Sequence, residues 1–336
     1  MTRKKILVTG GAGYIGSHVV RQLGERGEDI VVLDNLSTGF EQAVTYGTTV
    51  IGNTGDAEML ERLFAEHDID TIMHFAAHTV VPESVENPLK YYANNTAASR
   101  TLLEAAQRHG VKHVVFSSTA AVYGVPRDGV ASEDDPTQPI NPYGTSKLMT
   151  EWMLRDLAAA GGPSYAVLRY FNVAGCDPQG RIGQSTPKAT LLTKVACEAA
   201  VGRRADVKIY GTDYPTADGT GVRDYIHVED LAAAHLRALD YLREGGESVT
   251  LNCGYGHGYS VRELLAAVEK ANGAPLNIVE DARRAGDPPS LISKADRIRK
   301  TLGWEPQFDD LDAIVTSALA WERKIARKDS DAYWAG

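Results

Sequence analysis

Tyr143 and Lys147 stand four residues apart at the start of a predicted helix, in the segment Tyr143-Gly-Thr-Ser-Lys147. This spacing places both side chains on one helix face, about one turn apart. Because an ammonium beside a phenol favours the phenolate, we expect Lys147 to lower the pKa of Tyr143. A phenol tuned in this way can act as a general base near neutral pH. An ordinary surface pair has the same spacing, so the interpretation depends on the rest of the chain.

Hydroxyl side chains follow a buried apolar strand in the segment Ser117-Ser-Thr119. A hydroxyl at the carboxyl end of a strand can share a proton with the substrate oxygen on which Tyr143 acts, and we assign this role to Thr119. The alternative is that these hydroxyls end the strand by bonding the backbone, and we expect that of one of them.

A glycine cluster links an apolar strand to a helical pattern near the start of the chain, with Gly10, Gly13 and Gly16 at three-residue intervals. Gly10 allows a tight turn, Gly13 lets the backbone approach a pyrophosphate, and Gly16 lets the helix pack on the strand. The unpaired N–H groups and the positive dipole end of the helix then hold phosphates. The pattern predicts a dinucleotide cradle, although a plain strand–helix turn has similar glycines.

A second buried strand, Ile30-Val-Val-Leu33, ends in Asp34. A carboxylate about 20 residues after the glycines fits the adenosine ribose hydroxyls of NAD. The same charge repels the extra phosphate of NADP. The two signals together favour NAD as the cofactor.

An anion pocket is indicated further along the chain. Asn172 follows a strand and offers hydrogen-bond donors to a phosphate or a sugar, and Arg223 and Arg284 can pair with phosphates in a bidentate way. For any single arginine, a solvated surface charge is the competing interpretation.

The elements that must hold these residues alternate between strands and helices through the first half of the chain. Strands are predicted at 6–8, 30–33, 49–52, 71–75, 113–117 and 166–169, and helices at 14–23, after Asp56, at 88–109 and at 142–160. This order predicts an α/β fold with a doubly wound, parallel Rossmann-type sheet and ligands at the carboxyl ends of the strands.

The second half is less regular and is predicted to form a smaller mixed α/β lobe that binds substrate. A loop is expected from Tyr170 to Pro187, a helix from about Lys188 to Val201, a turn-rich stretch from Asp213 to Asp224 and a helix at 231–242. We expect residues 1–170 to form the NAD-binding domain, a segment near 222–245 to return to it, and residues 171–336 to form mainly the substrate lobe.

Composition limits the class of protein. The chain has 336 residues, 43% of them hydrophobic, and a net charge of −9, which argues against nucleic acid and anionic membranes as partners. The three cysteines are scattered without metal-ligand spacing, which suits a reducing compartment and predicts no metal site. With no visible signal peptide and no apolar run long enough to span a bilayer, a cytoplasmic protein is expected.

Taken together, these motifs resemble the extended short-chain dehydrogenase/reductase family, and within it the enzymes that epimerise UDP-sugars at C4. The similarity covers nearly the whole chain. It is carried by Val8-Thr-Gly-Gly-Ala-Gly-Tyr-Ile-Gly-Ser-His18, Asp34-Asn-Leu-Ser37, His74-Phe-Ala-Ala77, Ser117-Ser-Thr-Ala-Ala-Val-Tyr-Gly124, Asn141-Pro-Tyr-Gly-Thr-Ser-Lys147, Leu168-Arg-Tyr-Phe-Asn172 and Asp218-Gly-Thr-Gly-Val-Arg-Asp-Tyr-Ile-His-Val228.

The resemblance implies a reaction that interconverts UDP-glucose and UDP-galactose. Tyr143 takes the proton of the sugar 4-hydroxyl while hydride passes from C4 to a tightly held NAD, and the transient 4-keto sugar turns over before hydride returns to its opposite face. Lys147 can also bind the nicotinamide ribose. Family members are commonly homodimers through two helices, here about 90–108 and 145–160.

The resemblance also assigns site residues. Catalytic roles fall to Tyr143, Lys147 and Thr119. Cofactor contacts are expected from Gly10, Gly13, Tyr14, Ile15, Gly16, Asp34, Asn35, Ser37, Asp56, Phe75, Ala76, Ala77, Asn95, Ser117, Tyr143, Lys147 and Tyr170. Substrate contacts are expected from Thr119, Tyr143, Asn172, Leu192, Tyr210, Arg223, Arg284, Asp287 and Leu291.

The chain departs from the family pattern at three places. Thr119 stands where many members have Ser, and the hydroxyl is kept. The stretch Thr190-Leu-Leu-Thr193 is apolar where relatives often carry Asn or His, which leaves open whether Leu191 replaces a UDP contact. Leu291 is of intermediate size at the position that helps decide whether N-acetylated sugars fit, so the preference at the sugar 2-position is open.

Other activities remain as alternatives. Pentose or N-acetylhexosamine 4-epimerisation fits similar residues. A dehydratase needs an Asp-Glu pair after the active-site hydroxyl, where this chain has Ala120 and Ala121. A net dehydrogenase or reductase would exchange NAD with solvent. A silent NAD-binding regulator is disfavoured because Thr119, Tyr143 and Lys147 are all present.

Overall fold

The computed structural model describes residues 4–186, 189–284 and 287–327. Its helices are α1 (Tyr14–Glu25), α2 (Ala57–Glu66), α3 (Val81–Glu86), α4 (Pro88–Tyr91), α5 (Ala98–Arg108), α6 (Pro142–Ala159), α7 (Leu192–Ala200), α8 (Val228–Arg243), α9 (Val261–Asn272), α10 (Asp296–Leu302) and α11 (Leu311–Arg327). Its strands are β1 (Lys5–Thr9), β2 (Ile30–Asp34), β3 (Thr48–Ile51), β4 (Ile69–His74), β5 (His113–Thr119), β6 (Val130–Ala131), β7 (Ser164–Tyr170), β8 (Asn172–Ala174), β9 (Val207–Tyr210), β10 (Val222–Arg223), β11 (Tyr225–His227), β12 (Val249–Cys253), β13 (Tyr259–Ser260), β14 (Ile278–Asp281) and β15 (Ser290–Ser293).

A seven-stranded sheet in the order β12-β7-β5-β4-β1-β2-β3 forms the centre of the molecule. Its neighbouring strands all pair in parallel. The strand order reverses between β1 and β4, so the carboxyl ends of these two strands open a crevice at the topological switch point. The doubly wound α/β fold expected from the sequence is confirmed.

Helices cover both faces of this sheet, as buried parallel strands require. Helices α1 and α8 lie on one face, where Val20, Leu231 and Leu239 belong to the larger apolar core. Helices α2 and α5 lie on the other face, where Leu60 and Leu102 belong to a second core. Helix α8 packs against β5 and β7, and β12 extends the sheet beside β7, so residues 228–253 rejoin the first half of the chain.

Some of the short strands in the second half were not expected from the sequence. The predicted loop after Tyr170 contains β8, and the predicted turn-rich stretch contains β10. Strand β8 pairs in parallel with β11, with Asn172 opposite Tyr225. Each of these strands has only two or three residues and depends on a distant partner, so a local sequence pattern does not reveal it.

Two predicted helices also differ from the structure in detail. Helix α7 begins at Leu192, because Leu191 has extended backbone angles, and the predicted start at Lys188 lies outside the described residues. The helix predicted over 88–109 is interrupted by a π-helical turn at Tyr92–Ala97. Hydroxyls of Ser99 and Thr150 donate to the carbonyl oxygen of Asn95 within this turn, at 2.5 and 3.3 Å, and so satisfy it.

Among the helices of the described chain, none combines the length and the apolar run that crossing a bilayer requires.

Candidate active site

The glycine-rich turn between β1 and α1 is tightly packed. Gly10 has φ +71°, and a Cβ there would lie 2.6 Å from the backbone nitrogen of Ala76, so the position requires glycine. A Cβ on Gly16 would lie 2.2 Å from the carbonyl oxygen of Gly10. A side chain at position 16 would therefore clash with the turn itself, whereas the sequence predicted that Gly16 lets the helix pack on the strand. A Cβ on Gly13 would meet one described neighbour within 4 Å, the Gly10 carbonyl oxygen at 3.2 Å, so the outer side of this residue is open to approach.

The N-terminus of α1 is suited to an anion. Gly13 is its N-cap residue, and no side chain of the described residues caps the helix. The N–H groups of the first turn and the positive end of the dipole are therefore available to a pyrophosphate. Next in the chain, the Tyr14 hydroxyl donates to the carbonyl oxygen of Gly175 at 2.6 Å, and Ile15 packs on the larger apolar core.

Acidic residues follow the next two strands of the sheet. Asp34 is 8% exposed and accepts hydrogen bonds from the backbone N–H groups of Ala12 and Leu36. Asn35 and Ser37, just beyond it, are exposed. Asp56 is exposed and caps α2 by accepting from the N–H of Met59 at 3.0 Å. The tight turn at Gly10 and the uncapped N-terminus of α1 fit the phosphates of NAD, and the carboxylate at the end of β2 fits its ribose.

The loop after β4 borders the same crevice. Phe75, Ala76 and Ala77 are half-buried there. Asn95 is buried and links this loop to α6, because it accepts from the His78 N–H at 2.8 Å and donates to the Ser146 hydroxyl at 3.0 Å. A cleft of about 580 Å³ lies alongside, lined in part by Asp56, His78, Lys90 and Asn94.

Tyr143 lies at the start of α6, which is capped by Asn141. The phenol is 7% exposed. Burial raises its pKa above the ordinary value, and a hydrogen bond with the Thr119 side chain acts against that rise. The Thr119 hydroxyl also accepts from the Ala121 N–H at 3.1 Å. Thr119 therefore ends the strand, as one of these hydroxyls was expected to do, and it also contacts the phenol. Its contact with the substrate oxygen stays a prediction.

Lys147 is buried one turn along α6 from Tyr143. Its ammonium donates to the carbonyl oxygen of Ser117 at 2.7 Å and lies 4.8 Å from the centre of the Phe116 ring. Burial lowers the pKa of Lys147 to about 7. The prediction that Lys147 lowers the pKa of Tyr143 is wrong for this structure, because the ammonium bonds the strand and desolvation dominates both groups.

Tyr170 and Ser117 close the site beside Tyr143. Their hydroxyls share a hydrogen bond of 2.5 Å, and burial raises the pKa of Tyr170. Ser117 thus presents its carbonyl oxygen to Lys147 and its hydroxyl to Tyr170, which joins β5, β7 and α6 at one point.

The residues expected to hold the substrate form two contacting pairs. Arg223 in β10 lies opposite Leu291 in β15. The guanidinium of Arg284 lies 3.6 Å from the centre of the Tyr210 ring, and both belong to the second half of the chain.

Tyr214 lies near Arg223 of the first pair and was missed in the sequence. Burial raises the pKa of Tyr214; the charge of Asp287 adds to the rise and that of Arg223 opposes it, so the three groups are near one another. The hydroxyl of Tyr214 is buried without a partner among the described residues. A buried, unpaired hydroxyl beside arginines is a signal for a polar ligand that only the fold reveals.

Among the contacts of the described residues, none joins Asn172 or Leu192 to these pairs. Asn172 opens β8, is half-buried, and donates its backbone N–H to the Asp224 carbonyl oxygen at 2.9 Å. Leu192 opens α7 and packs against the larger apolar core.

Comparison with known proteins finds related sequences over nearly the whole chain. The sequence model of the NAD dependent epimerase/dehydratase family matches residues 6–254. The UDP-glucose 4-epimerase of Azospirillum brasilense is 56% identical over 322 residues, which cover 96% of this chain and 92% of that protein.

Solved structures agree with the sequence comparison. The UDP-glucose 4-epimerase of Brucella ovis in complex with NAD superposes with a TM-score of 0.92 at 42% identity, covering 94% of this chain and 98% of that one. The enzyme of Stenotrophomonas maltophila with bound NAD and formylated UDP-arabinopyranose gives a TM-score of 0.93 at 39% identity, covering 97% and 99%. The family model and these relatives establish that the chain belongs to the NAD dependent epimerase/dehydratase family.

Proposed function

We propose that the protein is an NAD-dependent UDP-sugar 4-epimerase that interconverts UDP-glucose and UDP-galactose. The observation that carries this proposal is the placement of the Tyr143 phenol against the Thr119 side chain at the carboxyl end of β5. The Lys147 ammonium is bonded to Ser117 of the same strand, and the dinucleotide cradle lies at the same sheet edge. Relatives of this chain carry that activity in their names.

Tyr143 moves the proton in the proposed reaction. NAD, when bound, would supply an acceptor and then a donor of hydride for C4 of the sugar, and its oxidised nicotinamide would bring a positive charge to the site. Tyr143 removes the proton of the 4-hydroxyl and gives it back. Burial opposes the phenolate, so the Thr119 hydrogen bond and nearby positive charge must stabilise it.

The chain's residues separate this reaction from a dehydration. A dehydratase must remove a second proton from the sugar, and for this it needs acid–base side chains directly after the active-site hydroxyl in the chain. Ala120 and Ala121 follow Thr119 in a short turn, and neither side chain can transfer a proton.

The UDP moiety is proposed to bind between the two substrate pairs. Arg223 and Arg284 supply positive charge for the phosphates, and the Tyr210 ring offers an aromatic face. We infer a hexose as the preferred sugar. A structural relative was solved with a UDP-pentose derivative, so UDP-arabinose is the alternative substrate to test.

We propose a homodimer that forms through the helices at about 90–108 and 145–160. Trp152, in the second of these helices, is 45% exposed. The adjoining helices α3 and α4, which precede and begin the first range, expose Val85 (62%) and Leu89 (76%). Large apolar side chains gathered on adjacent helices favour a protein–protein contact.

We also propose the cytoplasm as the compartment. The three cysteines are free and buried, which favours a reducing compartment.

We propose residues 1–170 as the NAD-binding domain, with 222–245 returning to it and 171–336 forming mainly the substrate lobe. The placement of α8 and β12 against the first half supports the returning segment.

Incubation of the purified protein with single UDP-sugars and no added NAD tests the function. We expect UDP-galactose to give UDP-glucose, UDP-GalNAc and UDP-arabinose to react less, and denaturation to release stoichiometric NAD. Conversion of no UDP-sugar by protein that contains NAD would overturn the proposal. Net formation of NADH with a stable 4-keto product would point to a dehydrogenase instead.

A further inference from the structure

A third residue continues the stripe that Tyr143 and Lys147 form on α6. Glu151 lies one further turn along the same face, at the spacing i, i+4, i+8. All three side chains are buried, with 7%, 2% and 6% of their surface exposed. A buried carboxylate at this position needs partners, because an unpaired buried charge is strongly disfavoured.

The partners of Glu151 come from the two strands under α6. The Ser118 hydroxyl donates to Glu151 at 2.5 Å. Arg169 donates to both carboxylate oxygens, with its Nη2 at 2.6 Å from one of them. Ser118 and Arg169 are directly paired in the β5–β7 ladder, so the sheet fixes the carboxylate from two adjacent positions.

Arg169 is itself held from its far side. Its Nη1 donates to the Tyr123 hydroxyl at 2.9 Å, and that hydroxyl donates to the Asn252 side chain at 2.7 Å. The network thus runs from α6 through β5 and β7 to β12. Two consecutive residues of β5 bond Lys147 and Glu151 in turn: the Ser117 carbonyl oxygen accepts from Lys147, and the Ser118 hydroxyl donates to Glu151.

We propose that Glu151 is a positioning residue that acts through its charge to keep Lys147 in its ammonium form, with Arg169 and Ser118 fixing the carboxylate one helix turn from the lysine. This inference rests on the function proposed above, because it concerns how the catalytic lysine is kept charged. Glu151 itself lies one turn beyond Lys147 and is separated from Tyr143 by two turns of α6.

The charges around Lys147 support this role. The titratable and charged side chains that surround it are Tyr143 and Glu151 from α6, His74 from β4, and Arg169 and Tyr170 from β7. Burial lowers the pKa of His74 to about 3, and burial raises the pKa of Tyr170, so both stay neutral at pH 7. Burial also lowers the pKa of Lys147, and the charge of Glu151 is what opposes that change.

The test compares Glu151→Gln with the unchanged protein and with Glu322→Gln. Glu322 is a matched control, because it is also buried and paired with two cations, Lys194 and Arg203, in the other half of the chain. Removing the charge of Glu151 lowers the pKa of Lys147, so the ammonium is lost at lower pH. We expect the alkaline limb of the kcat profile of Glu151→Gln to move down by about 1 pH unit or more.

The result must separate charge from structure. If Glu151 were merely structural, Glu151→Gln would lower the melting temperature, as we expect of Glu322→Gln, and would leave the alkaline limb in place. That outcome overturns the inference. If Glu151→Gln does not fold, Ser118→Ala decides, because it removes one of the two groups that fix the carboxylate while Arg169 and the charge remain. We expect a smaller shift in the same direction, and an alkaline limb that does not move overturns the inference. Unchanged protein without epimerase activity would instead overturn the proposed function.

Discussion

The carboxylate of Asp34 accepts a hydrogen bond from the backbone N–H of Ala12 at 3.0 Å and so ties the end of β2 to the glycine-rich turn. Its other oxygen accepts from the Leu36 N–H at 2.8 Å. The sequence assigned Asp34 to the ribose of NAD. The structure adds a second role, because the same side chain also holds the turn that must approach the pyrophosphate.

Replacing Asp34 with Asn is therefore predicted to lower both the affinity for NAD and the preference for NAD over NADP. The amide keeps the shape but loses the charge that excludes the extra phosphate, and it has one acceptor oxygen for two N–H groups. Cofactor content after denaturation and the dissociation constants of NAD and NADP measure the effect. Asp68→Asn is a control, because Asp68 pairs with Lys4 at the surface. Unchanged selectivity in Asp34→Asn would mean that the ribose contact is misassigned.

Tyr143→Phe is predicted to lower kcat by at least ~10²-fold, the low end for loss of a general acid–base group. The ring still fills the buried site at the start of α6, so the variant should fold and retain NAD. Steady-state kinetics and the cofactor content of the purified variant check both statements. Tyr165→Phe, on the same sheet but outside the site, should behave as the unchanged protein. Near-normal turnover in Tyr143→Phe would exclude the phenol as the base.

The hydrogen bond between Thr119 and Tyr143 gives a prediction about pH. Thr119→Val keeps the volume but removes the bond that opposes the rise in the Tyr143 pKa. The phenolate then forms at higher pH, so the acidic limb of the kcat profile should move up. Thr119→Ser keeps the hydroxyl and should leave the limb where it is. Equal profiles for the Val and Ser variants would show that the bond does not tune the phenol.

Local patterns predicted the parts of the site that local geometry builds. The turn at Gly10, the carboxylate at the end of β2 and the start of α6 were each predicted from a pattern within one short segment. These features depend on backbone conformation and capping, which short segments encode.

The parts that were missed depend on distant partners. The π-helical turn around Asn95 needs Thr150 from another helix, and Glu151 acquires its role from Arg169 in the sheet. The direction of the Tyr143 pKa was wrong because spacing shows that an ammonium is nearby but not how deeply both groups are buried.

The exposed apolar residues of α4 and α6 give a prediction about assembly. Leu89 and Trp152 are the most exposed large apolar residues of these two helices, at 76% and 45%, and each should be buried in the proposed dimer. A charge at either position would be desolvated there, so Leu89→Glu and Trp152→Glu should sediment as single chains where the unchanged protein sediments as two. Val125→Glu is the matched control, because Val125 is 58% exposed but lies outside these helices. If both helix variants keep the mass of two chains, the dimer forms through another surface; if the unchanged protein sediments as one chain, the proposed dimer is wrong.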